Sequence, residues 1–296
     1  METRESIISL ITNPKLLSLP NSLNPNDDLS HYLDGYDFII SNKKDKLSYY
    51  DYEYSNYKWC YELDCYLNAN FWRLSNLIDG AIISWKADNL LSGIINLRHL
   101  YETIVHMFYL IKKLEMHLKA QDGEKFYHLL WTFTFTFSEY LPKQHEKEEF
   151  KEQLLTKLPH INDSLRFYLK EANTLAKIGQ QKEKVFPTDI LYRQISQMAH
   201  PNSMGALRFF GKEYSNKVLF QNVQHEKNHP FYLFFFGLTI ELSLFASFLV
   251  EFEKTVDFYF PELVKLNKIN FDDFRETKDL WYAKFNELNQ DNKNNT

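Results

Sequence analysis

Two short segments of this 296-residue chain carry the residue types that metal-free cleavage of a phosphodiester needs. The first is Tyr192-Arg193-Gln194-Ile195-Ser196-Gln197-Met198-Ala199-His200-Pro201. Arg193 supplies a fixed positive charge, and His200 an imidazole that exchanges protons near pH 7. The second is Leu97-Arg98-His99-Leu100-Tyr101-Glu102, in the middle of a long apolar run. Arg98 and Glu102 stand one helical turn apart on an otherwise apolar face, where charge is costly unless each group is paired. Either they pair with each other at i,i+4 or tie neighbouring helices together, or they orient the histidine of the other segment.

Helical geometry sets the reach of the first segment. Ser196 and His200 are one turn apart, and Arg193 and His200 nearly two turns apart on a similar side. Pro201 disfavours helical backbone at His200. The imidazole is therefore expected to project from the C-terminal end of a short helix over Thr188 to Ala199, where the helix dipole favours its protonated form. The structural counterpart is a Ser196 and a His200 that cap or cross-link that helix. His99 and His106 share the polar side of the long helix with Ser92, Asn96 and Thr103, and are expected to be solvated.

Other chemistries have little support. Glu102/His106 and Glu124/His128 are both Glu-x3-His, whereas bundle di-iron sites use Glu-x2-His with further carboxylates. Cys60 and Cys65 are too few for a structural zinc site and read as reduced thiols. No P-loop, Rossmann glycine fingerprint or Gly-x-Ser-x-Gly elbow is present. No metal and no cofactor are expected. The formal net charge of −5 gives no global reason for a long nucleic-acid footprint, though it leaves room for a small positive site.

Long helices must position these residues. With 44% hydrophobic and 25% charged residues the chain has the composition of a soluble globular protein. Its 8 glycines and 9 prolines disfavour turn-rich β architectures. The expected fold is all-α, a helical bundle with an irregular N-terminal arm. The arm covers residues 1–60: an amphipathic run from Ser6 to Ile11, a turn-rich stretch from Asn13 to Asp28, and a tyrosine-dense piece from Tyr49 to Tyr61. The bundle covers 61–258. Its helices run over Asn68 to Lys86 and Asp88 to about Gln121, with Asp88 as N-cap and Gly123 just past the end. Further helices are expected over Glu124 to Tyr140 (where Thr132 to Phe137 alternates like a strand), from His145 to Pro159, over Asp163 to Ile178, and over Thr188 to Ala199. Gly205 to His229 reads as irregular, with a small hairpin. Residues 259–296 hold an amphipathic helix near Phe271 to Leu288 and a disordered tail.

The stretch Phe231 to Val250, about 20 residues, is long enough to cross a bilayer. Glu241 near its centre, Ser243, Ser247 and the lack of basic flanks point instead to a buried core helix. The N-terminus has no signal-peptide pattern. A cytoplasmic protein without membrane association is expected.

The spacing Arg193-x6-His200 resembles the Arg-x(4–6)-His signature of the HEPN superfamily, small α-helical domains that include many prokaryotic RNases and toxin or anti-phage effectors. Arg98-x3-Glu102, followed by Tyr192-x3-Ser196-x3-His200-Pro201, is similar to a HEPN-related group of bacterial helical proteins. The resemblance runs from about Asn68 to Val250. Gln194 departs from it, standing where the family often has Asn, Asp or His. The resemblance implies a metal-independent endoribonuclease that works as a homodimer with its two motifs facing each other. Arg193 would hold the scissile phosphate of an RNA substrate and His200 would move a proton. Ser196 and Tyr192 would support them, with Arg98 and Glu102 behind. A role in antiviral defence and a regulatory protein partner would go with that family. The alternative is a non-catalytic helical interaction or scaffold protein of the same fold, whose polar residues lock the bundle.

Overall fold

The computed structural model describes residues 2–12, 30–47, 58–123, 125–126, 129–130, 161–178, 188–199 and 229–265. They form α1 (Glu2–Ile11), α2 (Ser30–Asn42), α3 (Lys58–Lys86), α4 (Leu90–Lys119), α5 (Ile161–Ile178), α6 (Thr188–Ala199) and α7 (His229–Lys265). Among the described residues there is no strand, and the chain is an all-α protein. It divides into two compact units. One comprises Met1–Lys44, Asn68–Tyr109 and Pro159–Glu251; the other comprises Asp45–Leu67, Leu110–Leu158 and Phe252–Thr296.

In the first unit the helical apolar period does the sorting. Ile94, Leu97, Tyr101, Ile104 and Phe108 recur every three or four residues along α4, and all are buried. The adjacent stripe behaves differently. Leu91 and Ile95 at its start are exposed, whereas Val105 further along is buried. Along α7, Phe231, Phe234, Phe235, Leu238, Leu242 and Phe245 are buried, and Pro230 sits in the first turn, where its missing N–H costs nothing. Glu241 is buried among them at 2% exposure. The segment Phe234–Tyr259 is long and apolar enough to cross a membrane by length and composition, and 61% of its apolar window is buried.

Several boundaries differ from the sequence expectation. The N-terminal sixty residues are not wholly irregular, because α1 and α2 lie within them. The sequence of α2, rich in Ser, Tyr, Asp and Asn, has weak helical propensity. Packing holds it: Gly35 sits against the α7 backbone at Leu242 and Ser243, and its N–H donates to Ser243 Oγ at 3.2 Å. α3 begins at Lys58 rather than Asn68, and α7 runs past Val250 to Lys265, so the expected boundary after residue 258 falls inside a helix. The segments expected at Thr132 to Phe137, His145 to Pro159, Gly205 to Asn228 and Phe271 to Leu288 lie outside the described residues.

Asp88 is not the N-cap of α4. It has φ of 57° and closes α3: its N–H donates to Trp85 O at 3.1 Å, and the N–H of Asn89 to Ser84 O at 2.8 Å. That is the left-handed residue of a Schellman stop. Asn89 takes the cap instead, its Oδ1 accepting from the Ser92 N–H at 3.2 Å. One residue ends a helix and the next begins another.

The second unit repeats this device. Gln121, with φ of 56°, ends α4, and Asp122 Oδ1 accepts from the Lys125 N–H at 3.1 Å. Gly123 lies just past the end of α4, as expected, and is also the first helical residue after the turn. Within the last turns of α4, Glu115 is buried between Lys112, at 2.7 Å, and Lys119. Burial alone would raise the pKa of Glu115, but the bonds from the two lysines outweigh it and hold the carboxyl below its ordinary value.

Candidate functional site

The sequence places Arg98 and Glu102 one turn apart on α4, and the structure joins them. Arg98 Nε donates to Glu102 Oε1 at 2.9 Å. The same oxygen accepts the hydroxyl of Tyr192, from α6, at 3.2 Å. The second oxygen, Oε2, lies 3.5 Å from His99 Nδ1. Glu102 is only 17% exposed, so one largely buried carboxylate collects an arginine, an imidazole and a phenol. Such a buried charge is stabilised by the two donors on Oε1.

α6 sits against α4 for reasons readable in its own period. Ile195 and Met198 are buried, one turn of helix apart, with Tyr192 half-buried on the same side. The Tyr192 ring stacks on Tyr101 with centroids 5.3 Å apart and planes at 26°. Tyr101 in turn meets Tyr168 of α5 edge-on at 6.3 Å, and Tyr168 meets Phe108 edge-on at 4.9 Å. Replacing Tyr192 by phenylalanine keeps the stack and removes the bond to Glu102. The expected loss is about 1 kcal/mol in urea unfolding, and an unchanged midpoint would show that the bond contributes nothing.

The remaining expected residues are placed as follows. Arg193 is exposed on α6. Ser196 is half-buried, and its Oγ is enclosed without a hydrogen-bond partner among the described residues. His200 and Pro201 lie outside the described residues. Arg98 and Glu102 therefore pair with each other, and the motif helix reaches them through Tyr192. His106 is not simply solvated: its Nδ1 lies 3.2 Å from the Oγ of Ser164 of α5, a fully buried serine. His99 is half-exposed but engaged by Glu102.

Sequence reasoning missed the contact of Tyr168 with Glu241. The Tyr168 hydroxyl donates to Glu241 Oε2, and burial raises the Glu241 pKa to about 8. A glutamate in the centre of an apolar helix was the available signal, though its partner, 73 residues away, was not legible. Among the described residues no group of three or more His, Cys, Asp or Glu is placed to hold a metal ion.

Chemically, the cluster presents one arginine, one imidazole and one phenol around one carboxylate at the junction of two helices. Residues 64–218, more than half of the chain, match the model of a family described as of unknown function. No curated protein and no solved structure matches.

Proposed function

The chain belongs to the DUF5677 family, whose function is unknown, and we propose for it the activity of a HEPN-like, metal-independent endoribonuclease of the toxin or anti-phage effector type. One observation carries this reading. The Tyr192–Glu102 bond fastens the helix bearing Arg193 and Ser196 to the turn of α4 bearing Arg98 and His99. The two segments singled out by residue type thus share one carboxylate.

In this reading Arg193 holds the scissile phosphate and offsets the charge that builds on it in the transition state. Arg98 and Glu102 fix the floor of the site, and Tyr192 and Ser196 support it. His200 moves a proton. The 2′-hydroxyl attacks phosphorus, the bond to the 5′-oxygen breaks, and the products carry a 2′,3′-cyclic phosphate and a 5′-hydroxyl. A homodimer with facing motifs, acting on cytoplasmic RNA under a protein regulator, completes the proposal.

The test is cleavage of total RNA with EDTA present by wild type, Arg193→Ala and His200→Ala. Wild type should cleave, and each variant should lose about 10²- to 10⁴-fold in rate at unchanged melting temperature. RNA left intact by the wild type sinks the reading.

A second reading, a non-catalytic scaffold, is favoured by a different observation. Both oxygens of Glu102 are already engaged by groups of this chain, as in a lock between helices. In that case the same variants would change stability and partner binding and no RNA would be cut.

A further inference from the structure

We infer that the junction of α2 and α3 is a contact surface for single-stranded RNA, in which the Trp72 indole stacks a base and Lys43 and Lys44 meet the flanking phosphates. None of these residues belongs to the Glu102 cluster. RNA as the ligand rests on the nuclease reading above, whereas binding at this surface does not depend on cleavage.

Beyond Asn42, where α2 ends, the chain is clamped onto α3. The Lys44 N–H donates to Asn68 Oδ1 at 2.8 Å. Lys44 O accepts from Asn68 Nδ2 at 2.9 Å and from Trp72 Nε1 at 3.1 Å. Both polar groups of the Lys44 backbone are thus held by two side chains one turn apart on α3. Lys43 is held as well: its Nζ lies 4.0 Å from the centroid of the Trp72 ring and donates to Ser75 Oγ at 3.2 Å.

A staple between two helices accounts for part of this, since a lysine past the last turn of a helix suits the dipole and a cation is attracted to an indole face. Three observations go beyond a staple. The Lys44 side chain takes no part in it; it is exposed, with no bond or ion pair among the described residues. Trp72 keeps 37% of its surface exposed, and with Nε1 committed to Lys44 O it offers solvent aromatic carbon. No described carboxylate pairs with either lysine, and α3 carries no acidic residue between Asp64 and Asp79. Asp45 follows Lys44 in the chain, and Lys46 offsets its charge. Arg73, next to Trp72 on α3, is exposed and of the same sign as the lysines.

The lysine ammonium groups keep protons for an anion, because Ser75 takes only one of the three on Lys43. Cations beside exposed aromatic carbon match a ligand with an anionic backbone and flat apolar faces, which is a phosphodiester strand with its bases. A base reaches an indole only when it is unstacked from its neighbours, so the strand is single rather than duplex.

The test is fluorescence anisotropy of a labelled oligomer of about 20 2′-O-methyluridines, which lacks the 2′-hydroxyl and cannot be cut by the route above. Trp72→Leu should weaken binding about 5- to 100-fold. Lys44→Gln, whose side chain holds nothing in the fold, should melt as wild type does and lower the slope of log affinity against log salt by about 0.7. Unchanged affinity and slope in Lys44→Gln, equal affinity for the duplex with 2′-O-methyladenosines, or no binding by the wild type overturns the surface. Binding to vesicles of phosphatidylserine and phosphatidylcholine that the same variants lose, without binding to the oligomer, assigns it to a membrane instead. Binding of the oligomer with no cleavage of total RNA leaves this surface standing and sinks the nuclease reading alone.

Discussion

Glu241→Gln abolishes a loss of stability that the wild type undergoes as pH rises from about 4.5 to about 8. Glu241 is 2% exposed, its described partner is the Tyr168 hydroxyl, and burial raises its pKa to about 8. Below pH 4.5 the carboxyl is protonated in both folded and unfolded chains. Between the two pKa values the unfolded chain releases the proton while the folded chain keeps it. The folded state then binds more protons, so stability falls with pH until the folded carboxyl ionises too. At about 1.4 kcal/mol per pKa unit, the cumulative loss is on the order of 5 kcal/mol. Other carboxyls add their own slopes: Glu115 lies below its ordinary value, and Glu253 above it through burial and the charges of Asp257 and Asp64. Subtracting the variant cancels them. Urea unfolding of both proteins at pH 5, 7 and 9 should show the wild type falling several kcal/mol relative to the variant. Parallel curves would mean that Glu241 is ionised, or solvated, in the folded chain.

Gly35→Ala should be the most damaging single methyl that can be added among the described glycines. A Cβ at Gly35 would stand 2.4 Å from Leu242 C and Ser243 N and 2.7 Å from Leu242 O. These are backbone atoms inside a helix and cannot rotate away. Alanine gains about 1 kcal/mol in helix propensity over glycine, but the clash forces α2 off α7 and strains the Gly35–Ser243 bond. Overpacking of this kind costs about 1–3 kcal/mol and occasionally more, and contact of backbone with backbone places it at the upper end. Gly80→Ala is the control, since its nearest neighbours at 3.0–3.3 Å are atoms of the Asn96 side chain, which can turn aside. Thermal unfolding should show a clear drop for Gly35→Ala and a small change for Gly80→Ala. Equal melting temperatures would contradict the close crossing.

What could be read from the sequence was what local periodicity controls. The helices expected over Asp88 to about Gln121 and over Thr188 to Ala199 followed from apolar spacing, and the structure has them at Leu90–Lys119 and Thr188–Ala199. The pairing of Arg98 with Glu102 was one of two readings that their i,i+4 spacing allowed. What escaped depended on partners distant in sequence. Nothing near Tyr192 announces Glu102, 90 residues earlier. α2 is helical because of α7, not because of its own residues. Asp88 was misread for a subtler reason: aspartate suits an N-cap and also tolerates the left-handed turn, and only the backbone bonds decide between them. His99 sat three residues from Glu102 in plain view, yet its polar-side position suggested only solvent.

The close crossing at Gly35 also bears on how the chain finds its fold. Ser84 and Ser92, bonded across the turn between α3 and α4, are 8 residues apart, whereas Gly35 and Ser243 are separated by 208. Loop-closure entropy grows as (3/2)RT ln n, so the distant contact costs about 3 kcal/mol more to close than the near one. The α3–α4 hairpin pays little entropy to form and can assemble while the rest of the chain is still unstructured. α2, with weak propensity of its own, gains its crossing with α7 only after that long and costly loop has closed.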